Sequence, residues 1–175
     1  MEVKGSRRSW AWSRIWDAVA VAAIAFALWK IFVAPRQFAP PTAHPAPHAV
    51  FARLEGEPFS VAQARGRVLF LSFYASWCEP CKIELPLVTA WRRSHPQALV
   101  LPVDVGESRS VAAAFARRYS LGNVALDPRS SARALFGVGG FPTTVVIDGR
   151  GFIRAKWEGL NPAIGLALSN AQRTL

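Results

Sequence analysis

Apolar positions along this chain change their pattern twice. From Ile15 to Val33 they run almost unbroken, with Asp17 and Lys30 near the two ends. Nineteen residues in a helix would reach about 28 Å, close to the hydrocarbon thickness of a bilayer, so a transmembrane anchor is predicted over residues 15–33. Trp16 and Trp29 suit the two interfaces. Lys4, Arg7, Arg8 and Arg14 ahead of the span, against Arg36 shortly after it, predict residues 1–14 in the cytoplasm and the rest of the chain across the membrane. A cleaved signal peptide shares this basic start, but cutting after Ala25-Phe26-Ala27 would leave a short apolar core and strand Leu28 to Val33 in water. An uncleaved anchor is therefore expected. Residues 34–50 turn to Pro, Ala and His, which predicts a semi-extended spacer and no packed element.

Past residue 50 the pattern is that of a folded domain, residues 51–175. Phe51 to Leu54 and Pro58 to Val61 read as a hairpin, followed by a helical turn at Ala62 to Ala64. Val68 begins a continuous apolar run, the signature of a strand buried on both faces, which breaks at Ala75-Ser76. Lys82, Ile83, Leu85, Leu87, Val88 and Trp91 follow as an amphipathic helix that Pro86 should kink. Ala98 to Val105 is a strand, apolar except for Asp104, and Ser108 to Tyr119 a helix with Val111, Phe115 and Tyr119 on one face. After a short extended piece at Val124 to Leu126 and a short helix at Ser130 to Phe136, a strand opens with Pro142 and runs to Asp148. A proline in first position suits an edge strand. Gly149-Arg150-Gly151 turns the chain back into Phe152 to Glu158, and Pro162 to Gln172 closes it as a helix with Pro162 in its first turn. Strands alternating with helices, then a hairpin and a helix, predict an α/β domain with a mixed sheet covered on both faces.

Composition narrows the function classes. An apolar fraction of 51% is ample for one packed core. A net charge of +10 would suit nucleic acid, yet six of the 21 Lys/Arg fall in residues 1–36 and the others are scattered, so nucleic-acid binding is not expected.

The chemistry lies in the only two cysteines, Cys78-Glu79-Pro80-Cys81, at the turn from strand to helix. A helix N-terminus presents free N–H groups and partial positive charge, which favours a thiolate at Cys78. Two intervening residues bring both sulfurs within disulfide range across one helical turn. A structural staple over so short a loop would constrain the unfolded chain little, and half a zinc site lacks a second CxxC, or an HxxxH pattern in the folded region. Reversible redox chemistry is the stronger reading. His44 and His48 on the spacer leave a copper-handling module using Cys78, Cys81 and a histidine as the alternative from another class.

Trp77-Cys78-Glu79-Pro80-Cys81-Lys82 resembles the active-site signature of thioredoxin-like proteins. Its extension through Glu84 and Pro86 is similar to the membrane-anchored TlpA/ResA/CcmG branch, as is the stretch from Gly139 to Asp148. The resemblance, from near Val50 to the C-terminus, implies a thioredoxin-like three-layer fold behind the anchor and a thiol–disulfide oxidoreductase that needs no cofactor. It further implies that the Phe141-Pro142 peptide is cis and lies beside the cysteines, where Phe141 and Pro142 would bind an extended substrate segment with Trp77. General thioredoxins carry a buried Asp where this chain has Ser72, so Glu84, three residues after Cys81 on the same helical face, is expected to take over proton transfer. Implied partners are protein disulfides such as those of apocytochrome c or a copper-site assembly protein, and a membrane electron donor of the CcdA or DsbD kind. The implied location is the inner membrane, single-pass, with the catalytic domain in the periplasm. A dithiol oxidase running the exchange backwards is the rival within the same chemistry.

Overall fold

The computed structural model describes residues 16–26, 36–38 and 43–175, and the chain divides into two compact units, Met1–Ala34 and Pro35–Leu175. In the first, residues 16–26 form helix α1. The remainder of the predicted anchor and residues 1–14 lie outside the described residues, among which no helix is long and apolar enough to cross a membrane.

In the second unit the elements in chain order are β1 Arg36–Phe38, β2 His44–Pro45, β3 Val50–Arg53, β4 Phe59–Ser60, a 3-10 turn Val61–Ala64, β5 Leu69–Tyr74, α2 Glu79–Ser94, β6 Leu99–Val105, α3 Arg109–Arg118, β7 Ala125–Asp127, α4 Ser131–Leu135, β8 Thr143–Ile147, β9 Phe152–Glu158 and α5 Ile164–Thr174. The strand order is β1-β9-β8-β5-β6-β7-β3-β4, with β2 also paired to β9. β5, β6 and β7 run parallel, while β8 is antiparallel to β5 and β9.

β5 sits in the interior of the sheet, and every residue of it is buried, which is why its sequence is apolar without alternation. The strand's period of two nevertheless sorts its side chains. Leu69, Leu71 and Phe73 enter a core with Phe51, Phe59 and the α4 residue Ala132. Phe70 enters the opposite core with Val88 and Trp91 of α2 and Ile164 and Leu168 of α5. Tyr74 joins Cys78, Cys81, Leu85 and, from α3, Phe115 and Ala116. Helices α2, α3 and α5 thus cover one face, and α4 with the β3–β4 hairpin covers the other. Trp91 ties α2 to both neighbours, its ring edge-on to Phe70 and its indole N–H donating to Ser169 Oγ at 2.8 Å.

Several expectations give way. The buried stripe of α2 is Cys81, Glu84, Leu85, Val88 and Trp91, whereas Ile83 and Leu87 are exposed, because they lie off the 3.6-residue stripe that Cys81 begins. On α3 the buried residues are Ala112, Phe115 and Ala116, leaving Val111 in water. α2 passes through Pro86 as one helix. The spacer is packed where it is described: residues 36–38 and 44–45 pair with the outer edge of β9, Ala46 N–H donates to Gly151 O at 2.8 Å, and Ala49 is buried. An open sheet edge offers backbone partners that even a proline-rich segment can use. β8 is an interior strand and Pro142 precedes it, so no ladder position is asked of its missing N–H. Pro162 lies ahead of α5, which starts at Ile164.

Candidate active site

The chain leaves the sheet after Tyr74 and enters α2 at Glu79, which makes Cys78 the residue that caps the helix. Its Sγ accepts the Cys81 N–H at 3.2 Å, and its own N–H donates to Ala75 O at 3.1 Å, closing the turn. Cys78 and Cys81 are joined in a disulfide with Cα atoms 5.3 Å apart. Cys78 is 4% exposed and Cys81 not at all, so an incoming sulfur meets Cys78. The intervening Glu79 pairs with Lys82 at the surface, where an ion pair contributes little.

Glu84 lies one turn beyond Cys81 on the same face and is 2% exposed. Its Oε2 accepts the Asn161 N–H at 2.7 Å. Burial pushes its carboxyl up to about 7, with the Asn161 hydrogen bond pulling the other way. Asn161, absent from the sequence expectations, is itself buried, and its Oδ1 accepts the Ala163 N–H at 3.0 Å, a local turn that fixes the donor N–H on α2. Ser72 is buried on β5 as the resemblance implies, with no charge to offer.

The Phe141-Pro142 peptide is cis. Phe141 packs against the cluster holding both cysteines, and its ring meets Trp77 edge-on with centroids 5.8 Å apart. Trp77 is 68% exposed, so the two rings form an apolar surface next to Cys78. The loop before Phe141 is held by groups the sequence did not single out. Arg133 donates to Val138 O and Gly139 O, both at 3.1 Å, while its guanidinium lies over the Phe141 ring. Glu158 Oε1 accepts the Gly139 N–H at 3.1 Å, and Thr143 Oγ1 donates to Gly140 O at 2.8 Å.

A second buried acid stands at the C-terminal end of β6. Asp104 is 1% exposed and sits opposite Tyr74 of β5. Burial, then the neighbouring Glu107, push its carboxyl up to about 7, and the Tyr74 hydroxyl pulls it back. Among the described residues no group closes a hydrogen bond of normal geometry on either Asp104 oxygen or on Tyr74 Oη. The only hint in the sequence was a lone charge in an apolar strand. His44 and His48 are exposed, and among the described residues no three His, Cys, Asp or Glu side chains gather as a metal site.

The sequence pattern of the AhpC/TSA family matches residues 42–156. The chain belongs to that family. Within it, the thiol-disulfide oxidoreductase ResA of Geobacillus thermodenitrificans is 32% identical over 112 residues, which cover 62% of this chain and 64% of that protein. The thioredoxin-like protein YneN of Bacillus subtilis is 29% identical over 113 residues, covering 62% and 66%. The matched part thus spans about two thirds of these relatives. Among solved structures, a Chlorobium tepidum chain described as thiol:disulfide interchange protein DsbE superposes with a TM-score of 0.68 at 26% identity, covering 74% of this chain and 93% of that one. StoA from Bacillus subtilis gives 0.61 at 26% identity, covering 71% and 99%. The fold of this AhpC/TSA member is accordingly the thioredoxin-like one. In that frame the disulfide at the head of α2, the acid one turn on and the cis-proline loop form one site, able to exchange two electrons and a proton with a second disulfide or dithiol.

Proposed function

We propose that this chain is a membrane-anchored, extracytoplasmic thiol–disulfide oxidoreductase that reduces partner disulfides. The observation that carries the reading is the pairing of Cys78, capping α2 and reachable, with Cys81, sealed beneath it. In the reduced protein the Cys78 thiolate attacks one sulfur of a partner's disulfide, and the partner's other sulfur leaves as a thiolate. Cys81 then gives its proton to Glu84 and attacks Cys78 Sγ, expelling the partner's second sulfur. Glu84 returns that proton to one partner sulfur and solvent protonates the other, which leaves the partner as a dithiol and this protein as the disulfide. Trp77, Phe141 and the cis Pro142 receive an extended segment of the partner, whose backbone pairs with Phe141.

The likeness of the Cys78 motif to the TlpA/ResA/CcmG branch points to substrates of the haem-attachment or copper-site assembly kind, and a periplasmic domain would draw its electrons through a membrane donor of the CcdA or DsbD type. Equilibration with a thiol buffer tests the direction: a potential well below about −200 mV fits a reductant, and one near about −120 mV an oxidase. Capture of partners on Cys78 in a Cys81→Ala variant tests the pathway, and a captured set without cytochrome or oxidase assembly proteins would sink it.

A further inference from the structure

Asp104, Glu107 and Ser76 form a connection behind the nucleophile that the exchange mechanism leaves unused. Gly106, with φ +78, ends β6 in a left-handed turn that a side chain would strain, and the chain then delivers Glu107 to the active-site turn. Glu107 Oε2 accepts the Ser76 N–H at 2.7 Å and its Oε1 the Ser76 hydroxyl at 2.6 Å, across 31 residues of sequence. Ser76 lies inside the turn that the Cys78 N–H closes on Ala75 O. A carboxylate with both oxygens engaged is a charge-assisted two-point clamp on the segment that carries the attacking sulfur. Behind the clamp stands Asp104, buried and without a hydrogen-bond partner of normal geometry.

We propose that Glu107 is a positioning residue for Cys78, holding the Ser76 turn at the head of α2. This rests on the thiol–disulfide reading of the site. Glu107 directs both of its carboxylate oxygens at Ser76. The groups facing Asp104 are Tyr74 from β5 and Glu107 from the loop before α3. Over Tyr74, α2 presents Cys78, Cys81 and Leu85, and α3 presents Phe115 and Ala116.

Alkylation of Cys78 by iodoacetamide tests this without any partner protein, so its outcome is independent of the exchange assay. The background is Cys81→Ala with Glu84→Gln, which leaves one thiol and removes the other buried acid that titrates near neutrality. Glu107→Gln keeps two hydrogen-bonding atoms for Ser76, and Glu107→Ala keeps none; both are neutral, so any difference between them is positional. In the Ala variant Cys78 should ionise at higher pH and react about threefold more slowly at pH 7 than in the Gln variant. Should Glu107→Ala fail to fold, Ser76→Ala removes the hydroxyl arm alone and should slow the reaction by about half as much on a logarithmic scale. Identical profiles for the Ala and Gln variants, or for Ser76→Ala and its parent, would overturn the positioning role.

Discussion

Glu84 and Asp104 are both sealed from water, and burial pushes both carboxyls up to about 7, yet their surroundings differ. Glu84 leans on a fixed backbone donor, the Asn161 N–H, which favours its charged form and stays in place whichever way the proton goes. Asp104 faces a second acid and a phenol, and no donor closes on it. Similar burial therefore supports opposite tasks. An acid with a permanent donor can release and retake a proton with little rearrangement, as passing one from Cys81 requires. An acid beside another acid is better suited to remain protonated.

The largest consequence of this contrast is in stability. Both folded-state values lie above the ordinary carboxyl range, so between about pH 4 and 7 the folded protein binds more protons than the unfolded chain. Stability is greatest at the acid end of that window and falls as pH rises, by roughly 3 to 4 kcal/mol for each group. Urea unfolding across the window should show the fall, and Glu84→Gln and Asp104→Asn should each remove roughly half of it. A flat profile in the parent protein would show that neither acid is held protonated.

Next in size is the kinetic split. Glu84→Gln should slow the resolving step by about a hundredfold while the first attack by Cys78 keeps its rate, which rapid mixing with a disulfide peptide separates. Asp104→Asn should leave the resolving step alone. Equal slowing in both variants would erase the distinction between the two acids. The smallest effect belongs to Asn161→Ala, which deletes the Oδ1 contact to Ala163 and keeps the N–H that serves Glu84. A loss of about 1 kcal/mol in thermal unfolding is expected, with the pH profile of resolution unmoved.

What could be read from the sequence follows the same division. Cys78, Cys81 and Glu84 lie within seven residues of one another, and strand-to-helix patterning was enough to assign them to one turn and one face. Phe141 and Pro142 needed the family resemblance, since spacing does not reveal a cis peptide. Asn161 and Glu107 escaped because they act on Glu84 and Ser76 across 77 and 31 residues, pairings that only the assembled sheet creates. Arg133 was hidden likewise, its carbonyl partners lying in a glycine-rich loop without a periodic signal. Residues 36–38 and 44–45 were misread because proline and alanine dominate the local composition, while their strand character comes from the open edge of β9.

The central claim, attack through Cys78 and release through Cys81, is tested most directly by intact-mass measurement after mixing reduced protein with a disulfide-bonded peptide. Cys81→Ala should accumulate a one-to-one mixed disulfide at Cys78, and the parent protein should pass to its internal disulfide with the peptide freed as a dithiol. Failure of Cys81→Ala to form the adduct, or equal accumulation of adduct in the parent, would contradict the account.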